Sequence, residues 1–341
     1  MKYNYFGKSG LLVSELCFGT MTFGGSRGGF WELIGKVQQE EVNNIIKIAF
    51  ESGINFFDTA NIYSFGESEN LLGQAIKDLK INRDELVIAS KVRGKMSDNP
   101  NSSGLSRYHI FNSVDESLQR LQLDHLDILY VHGVDENTDV EDIMRSLNDI
   151  VMSGKVRYIA VCNWPAWMVM KANAIASAKG WHKFIAMQYY YSLATRDIER
   201  EIMPLALDQK LAVLPWSPLA GGFLSGKYKR QSDQEGDSRR ANFDFPPIDK
   251  EKTFDILDIV GDIAVKKGVS VAQIALAWVR VQNGVTSTII GAKKAEQLLD
   301  NIDSLEIVFS DEELKRLDEA SALKVEYPEW MIERGKEADA K

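Results

Sequence analysis

Cysteine is scarce in this chain: two in 341 residues, Cys17 and Cys162, far apart and each within an apolar run. Nothing in that spacing suggests a disulfide framework. No His-x-x-x-His or Cys-x-x-Cys spacing signals a metal centre. No apolar run approaches the ~20 residues that a membrane helix needs. The opening MKYNYFGKSG has no apolar core of a signal peptide, so a cytoplasmic protein is expected. Positive charge is in deficit, 40 Lys and Arg against 49 Asp and Glu for a net charge of −9. That balance argues against nucleic acid as a main partner and leaves any phosphate-binding cations to be local. A G-x-G-x-x-G fingerprint is missing too; "CFGTMTFGG" has the glycines in the wrong places for one, which counts against an open dinucleotide-binding sheet.

What the chain does have is a repeated strand-then-helix rhythm. Eight strand-like runs follow one another: "ELCFGT", "GINFF", "ELVIASKV", "LDILYVHG", "VRYIAVCNW", "FIAMQYYYS", "LAVLPWSPLA" and "VTSTIIGA". They are nearly continuously apolar, as parallel strands covered on both faces are. Between them run helical stripes such as Val42, Ile45, Ile46, Ala49 and Phe50, or Leu72, Ala75, Ile76 and Leu79, or Ile110, Val114, Leu118 and Leu121. Eight such units predict a (β/α)8 TIM barrel in a single domain spanning 1–341. "YNYFGKSGLLVS" predicts an N-terminal β-hairpin over the closed end of the barrel. "GGSRGGFWELIG" and "SGKYKRQSDQEGDSRRANFDFPP" read as long loops at the C-terminal face. "SDEEL" reads as a capping box, and the tail from about 335 to 341 as disordered.

All strand C-termini of a parallel barrel face one way, so polar residues there converge. Asp58 ends "GINFFD", with Tyr63 five residues on; Lys91 ends "IASK"; His132 ends "LDILYVH". Taken singly, an acid and a phenol decorate many turns, a lysine can snorkel and a histidine can be a satisfied core residue. Together they make a coherent set. A buried lysine needs the aspartate as counter-ion. Its ammonium is expected to lower the phenol's pKa and so improve a proton donor. The histidine can donate to the same small group.

These stretches, with "LPWSPLAGGFLSGKY" and "IIGAKKAEQLLDN", resemble in order and over essentially the whole chain the aldo-keto reductases, closest to the bacterial and channel-β-subunit-like branches. The resemblance implies reduction of aldehydes or ketones to alcohols with NADPH (NADP+ in reverse), on a small-molecule carbonyl substrate. It makes Asp58, Tyr63, Lys91 and His132 the catalytic tetrad, with Tyr63 as general acid. Gly19, Thr20 and Met21 would approach the nicotinamide, along with Asp58. Asn163 and Gln188 would meet its carboxamide, Cys162 stands where the family usually has serine, and Trp216 would stack on the ring. Ser217, Pro218, Leu219 and Gly221 would wrap the pyrophosphate, with Lys227 as a neutralising cation. Arg239 and Arg240 would clamp the cofactor. Gly291 would allow close approach, Lys293 would meet the 2′-phosphate, and Gln297 and Asn301 the adenine. Trp31, Tyr63, His132 and Trp164, with Met21 and Trp216, would form an aromatic substrate pocket suited to aryl or medium-sized apolar aldehydes. The alternative is a cofactor-binding regulatory protein with little turnover, like the channel β-subunits; the complete tetrad favours the enzyme.

Overall fold

The computed structural model describes residues 1–26, 28–230, 240 and 243–339. Its first two strands, β1 (Tyr3–Tyr5) and β2 (Leu12–Ser14), pair antiparallel as the predicted hairpin. Gly7 and Gly10 take left-handed backbone in its turn, and Phe6 donates its amide to the Leu11 carbonyl at 2.7 Å. The hairpin drives Phe6 into the bottom of the barrel, edge-on to Phe56 at 5.6 Å. This plugs the closed end with apolar surface.

The barrel strands are β3 (Leu16–Gly19), β4 (Phe56–Asp58), β5 (Val87–Val92), β6 (Leu126–Val131), β7 (Val156–Cys162), β8 (Phe184–Tyr190), β9 (Ala212–Trp216) and β10 (Thr288–Ile290). They form one parallel sheet in the order β10-β3-β4-β5-β6-β7-β8-β9. Closure comes where Val213 of β9 pairs with Val285, just ahead of β10, and the Thr286 amide donates to the Val213 carbonyl at 2.9 Å. The result is the (β/α)8 barrel that the sequence rhythm predicts. Around it lie α1 (Phe30–Ile34), α2 (Gln39–Glu51), α3 (Glu67–Asp78), α4 (Arg107–Leu121), α5 (Val140–Met152) and α6 (Ala166–Lys179). The circuit continues with α7 (Ile202–Gln209), α8 (Lys250–Lys267), α9 (Val271–Arg280), α10 (Ala295–Asp303), α11 (Asp311–Ser321) and α12 (Glu329–Asp339). Among the described residues, no helix is long and apolar enough to cross a membrane.

Two separate apolar regions hold the fold. Outward strand residues and helix stripes form the larger: Val42, Ile45, Ile46 and Ala49 of α2 are fully buried in it. Each valine or isoleucine so buried contributes about 1.5–3 kcal/mol. Inward strand residues fill the barrel: Cys17, Phe56, Ala89, Tyr130, Cys162 and Leu214 among them. Strand alternation then dictates what stands above this plug. Two residues beyond Cys17, Phe56, Ala89, Tyr130, Ala186 and Leu214 come Gly19, Asp58, Lys91, His132, Gln188 and Trp216.

Helix ends follow local chemistry. Ser310 and Glu313 complete the expected capping box of α11. At the C-terminal end, residues 335–339 belong to α12. Its Lys, Glu and Ala residues are good helix formers even where no apolar stripe demands a helix.

Helices α3 and α4 pack at unusually close range where Gly73 meets the last turn of α4. A Cβ at residue 73 would lie 2.4 Å from the Leu121 carbonyl oxygen. Gly73→Ala therefore trades a gain of up to ~1 kcal/mol in helix propensity against overpacking on rigid backbone of about 1–3 kcal/mol. Urea unfolding should show a net loss of stability; an unchanged or raised midpoint would contradict the close-packing assignment.

Candidate active site

Lys91 enters the site from the C-terminal end of β5 on the barrel's inner wall, 1% exposed. Its ammonium uses all three protons. It donates to Asp58 Oδ2, to the Thr59 carbonyl at 2.9 Å and to Tyr63 Oη at 3.1 Å. Asp58 Oδ1 accepts from Gln188 Nε2 at 2.9 Å, so both carboxylate oxygens are engaged. Burial alone would pull the Lys91 pKa down. The Asp58 carboxylate and the neighbouring Tyr63 and Cys162 groups outweigh it, and the ammonium is held above its ordinary range.

Tyr63 sits beyond the end of β4, at the head of a short turn whose next three residues, Ser64, Phe65 and Gly66, are all left-handed. Its ring lies edge-on to His132 at 5.8 Å and to Trp31 at 5.9 Å. The expectation of a lowered phenol pKa is corrected here. Burial raises it, the Lys91 ammonium lowers it, and Asp58 raises it again, for a net rise. The reason is that desolvation of the phenolate is the largest effect, and Asp58 counters part of the lysine's field. The phenol is accordingly held as a neutral donor beside a cation. His132 is pushed the other way: burial first, then Lys91 and Arg93, hold its pKa well below 6.5. The imidazole is thus neutral.

The other expected residues divide into three groups. Around the tetrad, Thr20 is buried and hydrogen-bonded through Oγ1 to Ser68 Oγ at 2.8 Å, while Met21 is half-buried in the turn after β3. Cys162 is fully buried inside the barrel, its thiol pKa raised by burial. Asn163, left-handed, donates to the His132 carbonyl at 3.4 Å and accepts from Trp216 Nε1 at 3.1 Å. Trp216 lies between Tyr190 at 5.0 Å and Phe245 at 5.9 Å, near-parallel to both.

The second group forms a cradle. Ser217, Ala220, Gly221 and Gly222 are all left-handed, and the turn is held by its own amides, Ala220 donating to the Ser217 carbonyl at 2.8 Å and Gly222 to the Leu219 carbonyl at 2.9 Å. Ser217 Oγ accepts from the Gly221 amide at 2.8 Å, Pro218 is buried, Leu219 half-buried and Lys227 exposed. Across the mouth, a Cβ at Gly291 would meet only the Gly19 carbonyl oxygen, at 3.6 Å. The protein itself has no steric need of a glycine there, so the opening suits an incoming ligand. Gln297 Oε1 accepts from the exposed Lys293's amide at 2.9 Å, and Asn301 Nδ2 donates to the Gly291 carbonyl at 3.2 Å. Each of these two side chains braces the loop through one of its two polar ends.

The third group lies elsewhere. Trp164, expected in the pocket, is 1% exposed and packs edge-on to Phe184 at 5.7 Å in the core between strands and helices. The left-handed Asn163 breaks the strand's alternation and turns the tryptophan outward. Arg240, expected on the cofactor, instead donates to the carbonyls of Ala220 at 2.7 Å and Pro246 at 2.9 Å. Arg239 lies outside the described residues. The structure adds aromatics that no periodicity marks. Phe30 meets Phe243 at 4.7 Å, and Phe243 meets Phe245 at 5.3 Å. They join Trp31 to Trp216 around the mouth; their trace in the sequence is aromatic residues in polar loops, "GGFW" and "NFDFPP".

A parallel barrel with a buried lysine–carboxylate pair, a phenol and an imidazole at its C-terminal mouth is the arrangement of a carbonyl-processing oxidoreductase. The chain belongs to the aldo/keto reductase family, whose model matches residues 15–322. It is 35% identical to versiconal hemiacetal acetate reductase of Aspergillus parasiticus, over 96% of this chain and 99% of that one. A Schizosaccharomyces pombe chain with the provisional name aryl-alcohol dehydrogenase C977.14c is 37% identical, over 93% of this chain and 95% of its own. Uncharacterized oxidoreductase YrpG of Bacillus subtilis is 36% identical, over 94% and 95% respectively. The family acts on small-molecule carbonyl substrates and typically uses a nicotinamide cofactor.

The depressed His132 pKa makes the folded protein bind fewer protons than the unfolded chain in mild acid, so stability falls as pH drops below about 6.5 and through the folded value. In proton NMR the His132 ring should titrate with a midpoint well under 6.5. A midpoint at or above 6.5 would contradict the neutral-imidazole assignment.

Proposed function

We propose that the protein reduces aldehydes or ketones to alcohols with NADPH, using Tyr63 as the general acid. The observation that carries this reading is the triple contact of Lys91, which ties Asp58, the Thr59 carbonyl and the Tyr63 phenol into one buried network. NADPH, when bound, supplies a hydride to the carbonyl carbon. The chain's own residues handle the oxygen. Tyr63 Oη gives its proton to the oxygen as negative charge grows there, and the Lys91 ammonium stabilises the phenolate left behind. His132, neutral and beside the phenol, keeps an N–H available to hold the carbonyl oxygen and polarise it. Asp58 keeps the lysine charged and in place.

The open face at Gly291 supports a nicotinamide riboside lying against it, and the position of the Ser217–Gly222 turn beside the mouth supports a pyrophosphate there. Lys227 and Lys293 supply the cations for three phosphates, and Lys293 in particular for the 2′-phosphate that separates NADPH from NADH. As a point charge without a fork, a lysine gives that selection less geometric rigor than an arginine would. The aromatic mouth built from Phe30, Trp31, Trp216 and Phe245 supports planar aryl carbonyls as substrates, in keeping with the aryl-alcohol name of one relative. His132 in the fourth tetrad position favours turnover over the cofactor-binding regulatory role.

With 4-nitrobenzaldehyde as substrate, Tyr63→Phe should lower kcat/KM by about 10²–10⁴-fold, the usual worth of a positioned acid. NADPH binding, followed by fluorescence, should be unchanged. Turnover within a few-fold of the parent enzyme would remove Tyr63 from the acid role.

A further inference from the structure

Behind the tetrad lies a second buried charge that the proposed chemistry does not use. Glu69, in the first turn of α3, is fully buried. Its Oε2 accepts from Arg120 Nε of α4 at 2.6 Å, and its Oε1 from Ser90 Oγ of β5 at 2.5 Å. Arg120 also reaches Glu116 Oε2 at 3.5 Å and Ser117 Oγ at 3.3 Å. Its stem covers Gly66, where a Cβ would sit 2.5 Å from Arg120 Cδ.

Each end of this chain of contacts lies within three residues, along the backbone, of one partner of the Lys91–Tyr63 hydrogen bond. Ser90 is the strand neighbour of Lys91. Gly66 closes the left-handed turn that begins immediately after Tyr63, a backbone that Ser64 and Phe65 enter only against steric resistance. On the other side of that turn Ser64 Oγ donates to the Phe23 carbonyl at 3.1 Å. A strained turn persists when its surroundings over-determine it, and here Arg120 and Phe23 grip it from two directions.

Simple packing of α3 on α4 does not require such a pair. Apolar side chains of similar volume generally serve stability as well as a buried ion pair does, or better. We propose that the Glu69–Arg120 pair is a positioning device: anchored to strand β5 through Ser90, it holds the Ser64–Gly66 turn and thereby fixes the distance between the Tyr63 phenol and the Lys91 ammonium. The effect on turnover rests on the proposed reductase reading; the effect on the phenol does not.

The experiment is the paired apolar replacement Glu69→Leu with Arg120→Met in the full chain, read in two ways. Carbon-13 NMR of protein carrying ring-labelled tyrosine follows the Tyr63 Cζ resonance, identified by its loss in Tyr63→Phe, as pH rises. Loosening the phenol from the ammonium should raise its titration midpoint by about one pH unit. Steady-state reduction of 4-nitrobenzaldehyde with NADPH should show kcat reduced about 10- to 100-fold, with NADPH affinity retained. A midpoint and kcat both unmoved, whatever the thermal stability, would overturn the proposal. Should the double variant fail to fold, Ser90→Ala removes one hydrogen bond of the same anchor, and the same two readings decide with smaller expected shifts in the same directions. If the parent protein turns over no carbonyl, the reductase reading fails, while the Tyr63 midpoint still decides the positioning role.

Discussion

A lysine ammonium buried at the end of a β-strand is tolerable only if something neutralises it in place. In this barrel that something is Asp58 on the adjacent strand, backed by Gln188 from across the lumen and by the Thr59 carbonyl. Much else is arranged around that pair. Strand parity must put Asp58, Lys91 and Gln188 in one inward layer, which fixes the register of β4, β5 and β8 relative to the apolar plug beneath. Removing either charge leaves the other uncompensated in a medium that solvates it poorly, at a cost of about 3–5 kcal/mol. The third proton of the ammonium is then the one left for Tyr63. Structure and chemistry thus share a single contact set.

The barrel divides its labour accordingly. Its inner wall carries the charges and imposes exact register through parallel pairing, such as Lys91 opposite Tyr130 and Cys162 opposite Gln188. Its loops carry shape. Gly291 leaves one side of the mouth open, while Trp31, Trp216 and the Phe243–Phe245 segment build an aromatic rim. Such a division lets the same charged layer operate on different substrates as the rim changes.

Much of this was legible in the sequence, for physical reasons. All eight barrel strands announce themselves because parallel strands covered on both faces must be apolar nearly throughout. The tetrad stands out because Asp58, Lys91 and His132 break those runs at their C-terminal ends, whereas Asp127 and Arg157 interrupt β6 and β7 only at the start. What was not legible depends on distance and direction. Trp164 follows a left-handed asparagine that no periodicity reveals, and so faces the core rather than the pocket. Arg240 is consumed by loop carbonyls, and composition cannot tell such partners from a ligand. The Tyr63 phenol is raised rather than lowered because Asp58 and burial together outweigh the lysine, a balance that only geometry sets. The aromatic rim draws on residues more than two hundred positions apart, joined solely by closure of the barrel.

The dependence of the site on the Lys91–Asp58 pair is tested most directly by a double-mutant cycle of Lys91→Met and Asp58→Asn, followed by equilibrium unfolding. The expected result is a loss of about 3–5 kcal/mol in Lys91→Met, most of it recovered when Asp58→Asn is added. A coupling energy under about 0.5 kcal/mol, the level at which independent sites add, would contradict it.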